Sequence, residues 1–224
     1  MFARLRNLSQ RQVRTVWLLV LLLCLLPLAR LIALGVTGAD GGLGANPIEF
    51  ITRSTGDWAL YLLSITLAVT PLRKLSGLNW LVRLRRTLGL MAFLYLSLHF
   101  LTFFWFDHFF DLQEMWKDIL RRPFITVGVI ALVLMLPLAL TSTNRMIRLL
   151  GGKRWQLLHK LMYLIAPLAV LHFWWAKAGK NLIAQPVLFA SIVGVLLLAR
   201  VGWWLQKRRA EQGRATAAVT RKAA

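Results

Sequence analysis

Three of the four histidines in this 224-residue chain, His99, His159 and His172, lie inside long apolar stretches. An ionisable side chain at membrane depth is costly, and where one occurs it normally faces a bundle interior and marks a working site. Imidazole is also an axial ligand for haem iron. Inward-facing histidines in a strongly apolar helical chain therefore point to a membrane electron carrier.

The elements that must position them follow from composition. The chain is 58% hydrophobic with a mean hydropathy of +0.62, where a soluble domain would be nearer half apolar. A net charge of +20 would suggest nucleic acid in a soluble protein. Here the basic residues sit in short segments between apolar runs, so anionic lipid and topology account for them and nucleic acid is not an expected partner. The single cysteine, Cys24, allows no internal disulfide, and no C-x-x-C-H occurs. Covalently attached haem and iron–sulfur clusters are thereby excluded, and Cys24 reads as packing.

A helix needs about 20 apolar residues to cross a bilayer. Six stretches qualify, at 15–36, 57–72, 87–106, 123–142, 156–175 and 185–206. The first follows a basic N-terminus like a signal peptide, but its apolar run is too long and no small-residue cleavage site follows. The expected fold is an all-α membrane bundle of six transmembrane helices over 15–206, with a basic N-terminus at 1–14 and a basic, alanine-rich, disordered tail at 207–224. Segments 1–14, 73–86, 145–154 and 207–222 together carry nineteen Lys and Arg; the opposite side carries six: Arg53, Lys117, Arg121, Arg122, Lys177 and Lys180. The positive-inside rule then places both termini in the cytoplasm. Tryptophans near the span ends, among them Trp58, Trp105, Trp155 and Trp204, read as an interfacial belt.

With this topology the third and fifth spans run in the same direction. His99 lies 12 residues into the third; His172 lies 16 residues into the fifth, and His159 only three. At about 1.5 Å per residue, His99 and His172 share the outer half of the membrane, with His159 roughly 20 Å below. Two imidazoles at matched depth on different helices meet the requirement of a bis-histidine b-type haem; a hydrogen bond to a neighbouring helix is the alternative role for each. Thirteen residues of ideal helix make about 3.6 turns, so His159 and His172 do not share a face unless Pro167 alters the phase. Otherwise they address different neighbours. His108, at the outer edge of the third span, reads as interfacial and solvated. Ser97 and Tyr163 are nearby hydroxyls that could hold a ligand's second ring nitrogen.

Trp155, His159 and Tyr163 in the pattern W-x-x-x-H-x-x-x-Y, followed by Leu171-His172-Phe173-Trp174, resemble the ferric reductase-like transmembrane superfamily. Arg85-Arg86-Thr87-Leu88-Gly89-Leu90, Leu98-His99-Phe100, Asn46-Pro47-Ile48-Glu49-Phe50 and Thr55-Gly56-Asp57-Trp58-Ala59-Leu60 narrow the match. Over residues 15–206 the chain is similar to the MsrQ (YedZ) family, the haem-binding membrane subunits of the bacterial protein-methionine-sulfoxide reductase system. That resemblance implies an inner-membrane b-type cytochrome that also binds flavin mononucleotide (FMN). It would be an electron-transfer subunit rather than the catalytic one. Its electrons would come from a cytoplasmic flavin reductase or membrane quinol and go to a periplasmic molybdopterin-containing methionine-sulfoxide reductase, which repairs oxidised proteins. Two-haem relatives carry a further histidine 13 or 14 residues before the one at position 99; Arg85 and Arg86 stand there in this chain. One haem on His99 and His172 is thus expected. A second through His159 needs another sixth ligand or open coordination.

Arg85 and Arg86 offer guanidinium forks suited to a flavin phosphate, or serve as ordinary positive-inside anchors. Two other classes compete. A stand-alone transmembrane ferric reductase would need a nicotinamide domain, and no G-x-G-x-x-G follows a strand in this sequence. A transport or haem-handling protein would be expected to show repeat symmetry with broken helices.

Overall fold

The computed structural model describes residues 8–38, 41–178 and 182–223, with side chains to residue 213, and no strand occurs among them. Of the charges used for orientation, Arg4, Arg6 and Lys180 lie outside the described residues, as do the side chains of Arg214, Arg221 and Lys222.

Helix α1 (Gln10–Thr37) starts at Ser9, whose hydroxyl accepts from the Gln12 amide while the Gln12 side chain accepts from the Ser9 amide. This reciprocal cap satisfies two otherwise orphaned donors. Helix α2 (Pro47–Ser76) is set by the Asn46 cap and by proline at its first position, where a missing N–H costs nothing. Helix α3 (Leu81–Thr102) widens into a π-helical turn, Phe103–Asp107. The short α4 (Leu112–Arg121) leads to α5 (Pro123–Leu140). Next come α6 (Asn144–Leu150) and α7 (Gly152–Leu158). A 3-10 turn, His159–Leu161, joins α7 to α8 (Met162–Ala178), and α9 runs from Ala184 to Ala223.

Among the described residues, five stretches are long and apolar enough to cross a membrane: Gln10–Thr37, Leu81–Asp107, Pro123–Leu140, Gly152–Ala178 and Ala184–Gly213. The span expected at 57–72 falls inside α2, which is not one of the five. Glu49, Arg53, Asp57, Arg73 and Lys74 dilute its apolar character. Yet α2 is the hub of the core. It runs along α3, touches α8 and α9, and buries Leu62, Leu63 and Leu67. The other main seam joins α5 to α8. Leu22, Leu26, Ile32, Val133 and Leu198 face outward, the surface expected of a multi-pass protein whose backbone is satisfied internally and whose solvent is lipid.

Tyr95, fully buried, ties α1 to α3. Its hydroxyl donates to the Cys24 carbonyl at 2.7 Å and accepts from the Leu28 amide at 3.1 Å. Those two groups are the ends of one rung of the α1 ladder, next to Pro27. An inserted side-chain hydroxyl at such a rung is a recognised cause of helix bending.

At the C-terminus the backbone stays helical through Ala223, where the sequence reading expects disorder beyond 206. Alanine, arginine, lysine, glutamine and glutamate dominate that stretch, and all favour helix.

Candidate functional site

His99 comes from α3 and His172 from α8, and their ring centres lie 6.1 Å apart with the planes at 73°. Two imidazoles ligating one metal from opposite sides, with metal–nitrogen bonds of about 2.0 Å and about 1.1 Å from nitrogen to ring centre, would sit about 6.2 Å apart. The helices therefore bring the two rings to a separation that would admit one metal between them.

Each ring is oriented by a backbone carbonyl on a neighbouring helix. His99 Nδ1 lies 2.9 Å from the Thr52 oxygen on α2, and His172 Nδ1 lies 2.7 Å from the Phe124 oxygen on α5. A carbonyl can only accept, so Nδ1 carries the hydrogen and donates, which leaves Nε2 as the lone-pair nitrogen of each ring. This is the arrangement that fixes tautomer and direction in metal-binding histidines. Ser97 is spent on its own helix, donating to Phe93, and Tyr163 lies under Arg200. The ring nitrogens of His99 and His172 bond to backbone carbonyls and not to these hydroxyls.

Glycines make those carbonyls reachable. Cα–Cβ bonds tilt toward a helix N-terminus, so the side chain at position i+4 leans back over the carbonyl of residue i. At i+4 from Thr52 stands Gly56, and at i+4 from Phe124 stands Gly128. A Cβ on Gly56 would lie 3.0 Å from His99 Nδ1; one on Gly128 would lie 2.8 Å from His172 Nδ1. The same device is used twice, on two helices.

Both rings border a cavity of about 370 Å³ between α2, α3, α5 and α8, within the range of about 300–1,000 Å³ usual for cofactor and ligand pockets. Deep in the bundle its wall is apolar, with Leu63, Ala92, Leu96, Met135 and Ile165; its charged wall residues are Arg53 and Asp57 in the first three turns of α2, Asp107 at the end of the π turn, Arg122 just before α5 and Lys177 in the last turn of α8. An amphipathic planar group with carboxylates on one edge fits such a wall. Thr102, at the start of the π turn, donates to the His99 carbonyl at 2.7 Å.

At the opposite end, His159 occupies the 3-10 turn rather than a continuous helix. That turn, and not Pro167, breaks the phase between His159 and His172, since Pro167 lies inside the uninterrupted α8. His159 Nδ1 lies 3.0 Å from the Trp155 carbonyl and its ring centre 3.9 Å from the Trp155 ring. Trp155 donates to the Thr141 carbonyl at 3.0 Å, so it packs in the protein instead of serving only the lipid belt. Arg85 is an electrostatic neighbour of His159 and of Arg200. Arg86 turns away and donates to Asn144 at 2.9 Å. His108, expected to be solvated, is nearly buried; it stacks edge-on against Phe103 and approaches Asp118 at 3.4 Å.

A family model described as ferric reductase like transmembrane component matches residues 55–170. The protein-methionine-sulfoxide reductase heme-binding subunit MsrQ of Herminiimonas arsenicoxydans is 60% identical over 200 residues, covering 89% of this chain and 90% of that protein. The MsrQ of Ralstonia nicotianae is 54% identical over 206 residues, 92% of this chain and 93% of its own length. That of Rhodospirillum rubrum is 46% identical over 190 residues, covering 85% and 89%. The chain belongs to the MsrQ family.

In this MsrQ-family chain the sequence reading found the paired histidines but missed what holds them. Thr52 and Phe124 act through carbonyls, which carry no side-chain signature. Gly56 and Gly128 did leave one: an isolated glycine inside a helical pattern signals close approach. Arg200 was also passed over, although it is a charge within the expected span 185–206. Its guanidinium donates to the Leu67 carbonyl of α2 and sits 5.4 Å above the Tyr163 ring, binding α9 to α2 and α8.

Proposed function

We propose that this chain is the haem-binding electron-transfer subunit of a methionine-sulfoxide reductase system in the bacterial inner membrane. Electrons from the cytoplasmic side, supplied by a flavin reductase or by membrane quinol, would be handed to a periplasmic molybdopterin-containing catalytic subunit that repairs oxidised proteins. The observation that carries this reading is the His99–His172 pair, 6.1 Å apart with each Nδ1 committed to a carbonyl.

Haem b held there would supply one-electron carriage. His99 and His172 would hold the iron between them, leaving it no open position, which would favour electron transfer over oxygen activation. Lys177 at the charged wall suits a carboxylate of the group's edge, while Arg53 and Arg122 beside it are already paired with Glu49 and Asp118. The two backbone carbonyls keep both rings from turning, so little has to reorganise around a change of charge.

Six spans are assigned to α1, α2, α3, α5, the α7–α8 unit and α9, with both termini cytoplasmic on the charge asymmetry. The central packing of α2 supports its inclusion despite its charges. His159 with Trp155 and Arg85 forms the cytoplasmic-side station, where a second haem or FMN would sit. Arg85 is the better-placed of the two arginines for a flavin phosphate, because Arg86 is engaged by Asn144.

The test is His99→Ala and His172→Ala in purified protein, reading haem per chain and the Soret band. Each substitution should remove the bis-histidine signature. Unchanged haem content and an unchanged Soret band in both would overturn the assignment.

A further inference from the structure

Between the His99 helix and α5 the chain makes an aromatic turn and a short helix that the electron-transfer reading does not use. Phe109 and Phe110 have φ of 48° and 65°, a left-handed conformation costing an ordinary residue about 1–2 kcal/mol. The turn is held by Phe109 N–H donating to the Trp105 carbonyl and Phe110 N–H to that of Phe104, at 2.9 and 3.1 Å. Its result is to expose Phe109 by 81% and Phe110 by 51%.

Helix α4 follows, capped by the Asp111 carboxylate on the amides of Gln113 and Glu114. On its wheel Leu112, Trp116 and Leu120 share one face and are 64%, 59% and 63% exposed, while the adjoining Ile119 is buried in the protein. The polar side carries Lys117, Arg121 and Glu114, with Gln113 at its border with Leu120. Its charges are largely cancelled locally, Lys117 pairing with Glu114 at 2.7 Å and Asp118 with Arg122, the residue just past the helix, at 3.1 Å.

We propose that α4 and the Phe109–Phe110 turn lie flat in the membrane interface at the His99–His172 end, with Leu112, Trp116 and Leu120 in lipid. Four observations single out lipid as the occupant. The segment is bracketed by two membrane-spanning stretches, ending at Asp107 and beginning at Pro123, so the chain holds it at the bilayer boundary. Ten residues of helix reach only about 15 Å, too short to cross and suited to lying in the plane. Its exposed apolar face continues from Trp105, 49% exposed at the end of the span, and tryptophan at that level is an interfacial anchor. Locally cancelled charge leaves little to draw an oppositely charged protein, whereas an apolar arc with a polar back is what an interfacial helix needs. The anchor also bears on the site. The Thr126 hydroxyl donates to the Ile119 carbonyl, and two residues before Thr126 is Phe124, whose carbonyl holds His172.

The experiment places nitroxide labels at positions 112, 116, 117, 120 and 121 in turn, in full-length Cys24→Ala protein. The protein is held in nanodiscs of phosphatidylethanolamine and phosphatidylglycerol, and the Soret band is used to check folding. Collision with oxygen, which concentrates in lipid, is compared with collision with a water-soluble nickel chelate. Oxygen should dominate at 112, 116 and 120 and nickel at 117 and 121, the preference changing sign with the helical period. Because three lipid-facing sites are read independently, failure of one variant to fold leaves the others decisive. Nickel dominance at all five positions would overturn the proposal. So would shielding at 116 and 120 that arises only when a soluble protein partner is added.

Discussion

Replacing Gly128 by alanine tests the geometry of the site more sharply than deleting a ligand, because it adds one methyl group and removes nothing. The new Cβ would lie 2.8 Å from His172 Nδ1, 2.9 Å from Cε1 and 3.3 Å from Cγ. Ordinary contact begins at about 3.5 Å, so the ring must retreat by about 0.7 Å. It cannot do so and keep its 2.7 Å hydrogen bond to Phe124, since such bonds fade beyond about 3.2 Å. Losing a partner that orients a metal-binding histidine typically lowers affinity about 10–100-fold, equivalent to about 1.4–2.8 kcal/mol. Alanine is also the better helix former by about 1 kcal/mol, so the backbone term runs the other way and a loss must come from the ring. The assay is haem titration into apoprotein, with Gly194→Ala as control because nothing lies within 4 Å of a Cβ there. Wild-type affinity and an unshifted Soret band in Gly128→Ala would refute the reasoning that the carbonyl–glycine device sets the ligand.

Other expectations can be checked with the same preparations. Tyr95→Phe should lower the thermal unfolding midpoint with haem content unchanged, because the Cys24 carbonyl and Leu28 amide lose the hydroxyl between them, a deficit of about 1–3 kcal/mol for buried polar groups. His159→Ala should retain the bis-histidine Soret signal of the His99–His172 site; its complete loss would count against two separate stations. For flavin, Arg85→Gln should reduce the FMN bound per chain while Arg86→Gln leaves it unchanged, read by released fluorescence, and the reverse order would contradict the placement of Arg86 against Asn144.

Much of this architecture can be read from periodicity and charge, because a bilayer imposes length and polarity on every element that crosses it. The approach of His99 to His172 was legible for that reason: two helices running the same way carry depth along their sequence. The stretch at 57–72 reads as a short apolar run, but the helix that contains it, α2, also carries Glu49, Arg53, Asp57, Arg73 and Lys74 around its buried core and is not among the five candidate spans. The phase of His159 stayed open in the sequence because a 3-10 turn leaves no residue-type mark, whereas Pro167 is conspicuous and does not interrupt the helix. His108 was misjudged because burial there depends on Phe103 and Asp118 arriving from two other turns. Arg200 was missed for a simpler reason: one charge barely changes the average of a long apolar window.

The choice of backbone carbonyls to hold both imidazoles has a consequence for how such a site can vary. A carboxylate or hydroxyl partner could be exchanged by one substitution, altering the basicity of the ligand nitrogen and with it the electronic tuning of the bound group. Thr52 and Phe124 offer no such handle, since any residue presents the same carbonyl. What can change is access to it, through the residue four positions on, and there every alternative to glycine carries a Cβ that meets the ring at 3.0 Å or less. The 73° angle between the rings is likewise a property of where α2 and α5 place their carbonyls, fixed by helix packing before anything binds. Tuning of this site by substitution must therefore come from the cavity wall, above all from the charges at positions 53, 57, 107, 122 and 177, while the two imidazoles themselves stay locked.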